Sequence, residues 1–556
     1  MISTPESREK LLKELVSIPS ITGSTGENRA ADFVCERLSE LRYFRENPGH
    51  LARVPAALPG ESRELHTIAA RMMARIATKK TVVFVAHYDV VDVGVYGDLR
   101  DFAFDADELA ARLDPDEFGG QTASDIRSGG FIFGRGVMDM KCGLALEMEL
   151  LRDYDHDRSL FDVNVIVLVV PDEENTGGGM RGAARYLAEL KKNEGLEYIA
   201  GIDTEPSEPG LPDAENQLIF MGTMGKLLPF FYCRGVEAHV GNYYRGVSAA
   251  LMSSHVVVAA EGAGELADPC DGDCQPSWIC LEQRILAEGY SVTVPSRSIV
   301  YFNCFATKKS PADVLGEMCA VAKRAADETT GQVAKSHEAV SRMGYKPGIR
   351  AFDIRVLTFG ELFDRAAAVC KGGADALASI VSQIAHGNTV PDLRDRGIGI
   401  VEELIRISSI EPPFIAVGFL PPFNPQKTSL DGAPRSGVVV RAAARVIDEA
   451  REKFGVRIDR AGFFAGLSDM SFMGWSGTRE DADAFTRNCP GGNALLDIPF
   501  DLMREIDMPI VNLGPCGYDA HKKSERLERR YSLETLPHLL VYLVNAISEE
   551  WDLAKP

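Results

Sequence analysis

The sequence has no uninterrupted apolar run of the ~18–20 residues that a membrane-crossing helix needs. Its start, Met1 to Lys10 (MISTPESREK), shows no basic stretch followed by an apolar one. No secretory signal is read there, and a cytoplasmic location is expected. Positive charge is in deficit: 60 Lys+Arg face 81 Asp+Glu, a formal net charge of −21. Nucleic acids and anionic membrane surfaces are polyanions, so neither is expected as a partner. No CxxC pair occurs among the 11 cysteines, which are odd in number and scattered. They read as reduced thiols. Cys270, Cys274 and Cys280 lie close enough to hold a structural zinc with a fourth ligand, but without a CxxC pair free thiols are the expectation. There is no internal repeat and no low-complexity tract. What is present, 45% hydrophobic and 25% charged residues over 556 positions, is enough for a sizeable core. At roughly 100–200 residues per domain the length allows two to four domains.

The first 222 residues alternate strand and helix patterns. Helices are expected over Pro5–Val16, 29–41, 141–154 and 180–192. The apolar runs 81–86 (TVVFVA), 163–170 (VNVIVLVV) and 198–202 (YIAGI) read as strands. This is the rhythm of an α/β layer with a largely parallel sheet. After residue 222 the pattern becomes α+β: a strand at 227–234, a helix at 247–261, a long-armed hairpin over 277–284 and 290–307, and a helix at 311–327. Helical stretches near 361–385 and 399–407 follow. The α/β rhythm then returns with strands at 414–420 and 509–513 and helices at 438–453 and 533–551. The expected fold is an α/β catalytic domain with a mostly parallel mixed sheet flanked by helices, carrying an inserted smaller α+β domain. The expected boundaries are 1–222, 223–345 and 346–556, the last with an extra insertion at about 346–410.

Chemistry-bearing residues gather at strand ends. His87-Tyr88-Asp89 follows the first strand. There a His suits zinc and a carboxylate two residues on can hold its tautomer, although a lone HxD is also an ordinary loop. Asp139, in GRGVMDMK, is either a helix N-cap or a carboxylate aimed at a metal. Glu173 and Glu174, in PDEENTGGG, are a solvated turn unless they divide the roles of general base and metal ligand. Asp203 and Glu205 end the third strand, and His521 closes the late segment NLGPCGYDAH. Each has an ordinary explanation alone. Together they place two imidazoles and a set of mutually repelling carboxylates along one sheet edge. A pair of divalent cations would neutralise that charge, and a mixed His/carboxylate set suits Zn, with Mn or Co as alternatives.

HYDVV, GRGVMDMKCG, PDEENTGG, IDTEP and GPCGYDAH resemble, in order and spacing, the motifs of the M20 metallopeptidases, the co-catalytic zinc aminoacylase, carboxypeptidase and deacetylase group. The segment from Gly235 through His239 to Gly241 resembles that family's lid motif. GTMGKLLPFFY and the chain length resemble the RocB-type arginine-utilisation branch. The resemblance implies two metal ions, with His87 and Glu205 on the first (Asp203 as fallback), Asp139 bridging, and Glu174 and His521 on the second. It implies that Asp89 orients His87 and that Glu173 is the general base acting on a water between the metals. It also implies that His239 helps bind the scissile carbonyl oxygen, often across a dimer interface, and that a homodimer forms through the lid. The implied substrate is a short peptide or an N-acyl amino acid, with a link to arginine or amino-acid catabolism.

The lid strand departs from the pattern. The family's Asn aligns with Val292, and its Asp and Arg with Asn303 and Phe305, so the groups that grip a substrate carboxylate are not at their usual positions. Arg297 is nearby but reads as a surface residue. This departure motivates a second reading, a non-catalytic metal-dependent binding or regulatory protein on the same scaffold, which the intact Glu173 opposes. A phosphate loop at Gly222–Lys226 is excluded, because the required first Gly and following Ser/Thr are Phe220 and Leu227. Ser468-Asp469 reads equally as pocket-lining or packing.

Overall fold

The computed structural model describes residues 2–58, 63–208, 216–270, 273–275, 277–287, 289–344, 348–349, 351–387, 390, 392–464 and 466–554, without the side chains of 269–276. The side chains of Cys270 and Cys274 therefore lie outside the described residues, whereas Cys280 is a free thiol.

The fold is mixed α/β and contains two large sheets. The first has eight strands. Its centre is Lys80–His87, an apolar run buried on both faces. Side chains alternate along a strand, so Val82, Phe84 and Ala86 enter one core while Val83 and Val85 enter the other. Asn164–Val170 lies on one side of this strand and Glu197–Asp203 on the other, both parallel to it. Ile510–Asn512 adds to Glu197–Asp203, again in parallel. Four neighbouring strands thus end at one edge. Leu51–Pro55 and His66–Met72 close the sheet antiparallel on one flank, and Gln217–Phe220 and Ile458–Ala461 complete the other. One face packs on the helices Pro5–Val16, Gly26–Ser39, Lys141–His156, Pro434–Phe454 and Leu536–Ala554. The first of these is started by Thr4 and Ser7, whose hydroxyls bond each other's backbone N–H, with Pro5 at its first position.

The second sheet has five strands, in the order Ile279–Ile285, Arg297–Ala306, Gly225–Arg234, Phe414–Asn424, Arg355–Thr358. One face carries the helices Ala249–Ala260 and Pro311–Arg342, in a core that runs on without a break into the first sheet. The opposite face, with Leu228, Phe230, Tyr232 and Phe414, is covered by the helices Phe359–Val369, Gly373–Ala385 and Leu393–Ser408.

Several expectations change here. The strand beginning at Phe414 does not belong to the returning α/β rhythm; it pairs antiparallel with Gly225–Arg234 in the second sheet. Its burial on both faces gives it the same apolar pattern as a strand of the first sheet, so composition does not separate the two. Residues 290–296 do not extend the hairpin, whose second arm is Arg297–Ala306. The helix from Pro311 runs to Arg342, because nothing in its polar second half breaks it. The 361–385 stretch is two helices, parted at Gly372, which takes φ +98.

Candidate metal centre

The four parallel strand ends deliver the cluster. His87 is the last residue of its strand and is fully buried. Its Nδ1 lies 2.9 Å from the Asp89 carbonyl oxygen, and the Asp89 carboxylate is farther off, at 3.7 Å. The backbone carbonyl of Asp89 therefore holds the ring, and Nε2 is left for the cluster. The Asp89 carboxylate instead accepts the backbone N–H groups of Glu173 (3.2 Å) and Glu174 (3.3 Å) and the Thr22 hydroxyl (2.8 Å). It fixes the loop that carries both glutamates. Asp172 begins that loop at φ +63 and caps the next helix through Gly178 N–H at 3.1 Å.

Asp139 stands between the two imidazoles. Its Oδ1 is 3.2 Å from His87 Nε2 and its Oδ2 is 3.1 Å from His521 Nε2. Glu205 Oε1 is 3.4 Å from His87 Nε2, and Glu173 Oε2 is 3.9 Å from it. Glu174 Oε1 is 3.1 Å from His521 Nε2. Two sets, His87/Asp139/Glu174 and His87/Glu173/Glu205, each offer ligand atoms within 4.8 Å of one another. Asp203 is turned away: it accepts the Ser468 hydroxyl, so Glu205 is the carboxylate of that strand end that enters the cluster.

The electrostatics fit a cation. Burial pushes Glu205 well above the usual carboxylate range, and the charge of Asp139 adds to this. Burial does the same to Glu173, with His87 opposing and Glu174 adding. Burial also pushes Asp139 up, but its bonds to His521 and His87 win and hold it low. Bonds to Asp139 and Glu174 raise His521 to about 11. Burial pushes His87 down, but its bonds to Asp139 and Glu205 win and raise it, so the two imidazoles are the positive partners of the buried carboxylates. A divalent cation bound between them would take over that role, and the His/Asp/Glu donor set is one that such ions accept.

His239 is not part of this assembly. It is exposed between the strand Gly225–Arg234 and the helix Ala249–Ala260, and its Nδ1 accepts the Gly241 N–H at 3.1 Å. Val292 is exposed beside it, with its carbonyl accepting the Val240 N–H. Arg297 is paired with Glu402 at 2.9 Å. Phe305 lies directly opposite Lys226 in the ladder, so their side chains share a face.

Sequence reasoning misses Lys226 as a charged neighbour of the site and leaves Asp469 open between pocket-lining and packing. Lys226 escapes notice because its segment fails as a phosphate loop. Burial lowers its pKa, with Arg394 adding and Glu173 opposing, which puts the ammonium within electrostatic reach of the cluster. Asp469 is 3% exposed and neither carboxylate oxygen has a partner among the described residues. Burial raises it, against the pull of His87. Its only sequence signal is an acidic residue in an apolar, Gly-containing loop.

Residues 83–494 match the family model described as Peptidase family M20/M25/M40. The chain is 31% identical to YqjN of Bacillus subtilis (strain 168), over 98% of this chain and 97% of that one. It is 30% identical to Protein RocB of the same strain, over 96% and 94%. In fold it is similar to aminopeptidase PepT from Bacillus cereus, with TM-score 0.52, 13% identity, and coverage of 98% of this chain and 99% of that chain. It is also similar to the M20 family metallo-carboxypeptidase Sso-CP2 from Sulfolobus solfataricus, with TM-score 0.51, 13% identity, and coverage of 97% and 99%.

Proposed function

The chain belongs to peptidase family M20/M25/M40, and on that premise we propose that it is a metal-dependent hydrolase cleaving an amide bond in a short peptide or an N-acyl amino acid. The observation that carries this is the placement of Asp139 between His87 and His521, with Glu205 and Glu174 at the two ends and Glu173 beside them. His87 and Glu205 would hold a first divalent ion and His521 and Glu174 a second, with Asp139 placed to serve both. Zn suits the mixed donor set best, with Mn or Co as alternatives. When bound, such ions acidify a shared water and polarise the amide carbonyl.

The chain's own residues then divide the work. Burial raises the proton affinity of Glu173, with His87 opposing and Glu174 adding, the direction that a general base requires. It accepts a proton from the attacking water as the new C–O bond forms. It returns that proton to the leaving nitrogen as the C–N bond breaks. The Asp89 carboxylate, through the backbone N–H groups of Glu173 and Glu174, keeps both glutamates in place during the transfer.

The charge of Glu173 reaches the half-buried ammonium of Lys226, which among the described residues has no ion pair. It anchors a negatively charged end of the substrate. Lys226→Ala should raise KM about 10-fold, as expected for loss of a hydrogen bond to a charged group, with a smaller change in kcat. An equal fall in kcat alone would remove Lys226 from substrate binding.

His239 supplies a donor to the carbonyl oxygen in a homodimer, acting from the partner subunit. Its exposure supports this, as does the open edge of the second sheet, where Ile279, Leu281 and Ile285 face solvent at 44%, 53% and 49%. Mixing inactive His239→Ala and Glu173→Gln proteins should restore part of the activity. No recovery would return His239 to a surface residue. The GTMGKLLPFFY segment and the chain length, which resemble the RocB-type branch, support a link to arginine or amino-acid catabolism.

The deciding experiment is hydrolysis of a mixed set of dipeptides and N-acyl amino acids by metal-reconstituted protein, read by mass spectrometry. Cleavage should be lost with chelator and in Glu173→Gln. No cleavage with two ions bound would favour the binding or regulatory reading.

A further inference from the structure

Five segments supply the cluster, and three of them are the loops 87–92, 134–139 and 519–525. One buried pair touches all three. Arg135 is 1% exposed and Glu525 is fully buried, and their side chains form an ion pair. Glu525 Oε1 accepts the Gly136 N–H at 2.7 Å, and its backbone carbonyl accepts the Gly134 N–H at 3.4 Å. Arg135 Nη2 donates to the carbonyl of Asp92 (3.2 Å) and to that of His521 (3.2 Å). The guanidinium sits 5.3 Å from the centre of the Tyr96 ring.

Each contact falls where the backbone needs holding. Gly136 takes φ +79, and a Cβ there would come within 2.6 Å of Val90. His521 takes φ +66, a region that L side chains adopt rarely and keep only when their surroundings hold them there. Its carbonyl is one of the two that Arg135 grips. The same guanidinium is tied, through Glu525, to the loop that ends in Asp139. His87 and Glu205 need no such device, because they follow strands whose ladder fixes them.

We infer that the Arg135–Glu525 pair is the positioning element that holds His521 at its 3.1 Å spacing from Asp139, and that it sets the affinity of the second metal position more strongly than that of the first, which it reaches only through Asp139 and the 87–92 loop. The inference rests on the two-metal reading above. A planar fork suits this role, because one guanidinium reaches a carboxylate and two carbonyls in different directions, which an ammonium on a flexible stem does not reproduce.

The test titrates full-length apoprotein with Co2+, by calorimetry and by the visible absorption of the bound ion. Wild type should take two equivalents. In Arg135→Lys the first should weaken far less than the second, which should weaken about 10–100-fold, the range found when a partner that orients a metal ligand is lost. Glu525→Gln, which keeps the size and an acceptor for Gly136 while removing the charge, should shift the second equivalent in the same direction. A purely structural role would lower the melting temperature and weaken both equivalents alike; that outcome overturns the inference. So does an unchanged second equivalent in either folded variant, and Glu525→Gln decides alone if Arg135→Lys does not fold. Fewer than two equivalents in the unmutated protein would instead overturn the two-metal reading, a failure visible before any variant is made.

Discussion

The two halves of the cluster are built by different means. His87 and Glu205 stand at neighbouring strand ends, and their side chains are 0% and 5% exposed. His521 is 49% exposed, on a loop with two positive-φ residues, Asp519 and His521. The sheet makes the first half: once the strands are in register, its ligands are in place. The second half exists because side chains reach between loops. A metal ligand can therefore be a consequence of the fold or an addition to it, and the two should respond differently to mutation.

Glu173 lies between the halves, so its loss should be felt by the reaction and by neither metal position. Glu173→Gln is expected to cut turnover about 10²–10⁴-fold, the usual share of general acid–base catalysis, with two equivalents of metal retained by elemental analysis. Retained turnover would take the base role from Glu173.

The next effect separates the halves directly. Removing His87 strips a buried counter-charge from Asp139 and Glu205. His87→Ala should destabilise the metal-free protein by about 3–5 kcal/mol, as for a broken buried ion pair. His521→Ala, which removes a half-exposed counter-charge, should lower the melting temperature less and lose one metal equivalent. Calorimetric melting of both apoproteins reads the difference, and equal losses would abolish the distinction.

The smallest effect tests how far the buried half extends. Behind Asp89, Glu27 is fully buried; its carboxylate accepts the Gly23 N–H at 2.9 Å and pairs with Arg63 at 2.5 Å. Burial and then the charge of Asp89 raise it to about 8. A carboxyl raised from 4.5 to about 8 binds more protons folded than unfolded between those values. Its stabilising contribution is complete below about pH 4.5 and is lost as pH climbs through about 8. The melting temperature should fall over that window in the wild type and fall less steeply in Glu27→Gln. Identical slopes would mean that Glu27 is not part of the buried charge system.

The same division explains what could be read in advance. The acid-rich motifs announced His87, Asp139, Glu173, Glu174 and His521 because each stands where an apolar strand or a glycine loop stops, and burial on both faces makes such strands visible as unbroken apolar runs. Which carboxylate of the IDTEP segment enters the cluster is decided only by Ser468, which occupies Asp203. The second sheet is harder to read. The Phe414 strand is visible, but its pairing with Gly225–Arg234 depends on contacts across almost two hundred residues, which local pattern does not encode. The helices after residue 358 are visible as helices, yet nothing in them announces that they cover Phe230 and Tyr232. Arg135 and Glu525 are silent because a buried ion pair shows its meaning only when both members are located.

The open edge at Ile279–Ile285 also bears on how the protein behaves in solution. With helices on both faces of the second sheet, this rim is a place where backbone donors and acceptors and an apolar row meet water together, the combination that invites strand addition by another chain. At −21, copies repel one another at long range, and that repulsion fades beyond ~8–10 Å at physiological ionic strength. Salt should therefore promote rather than oppose self-association, and Leu281→Lys should make the protein more tolerant of concentrated, high-salt storage.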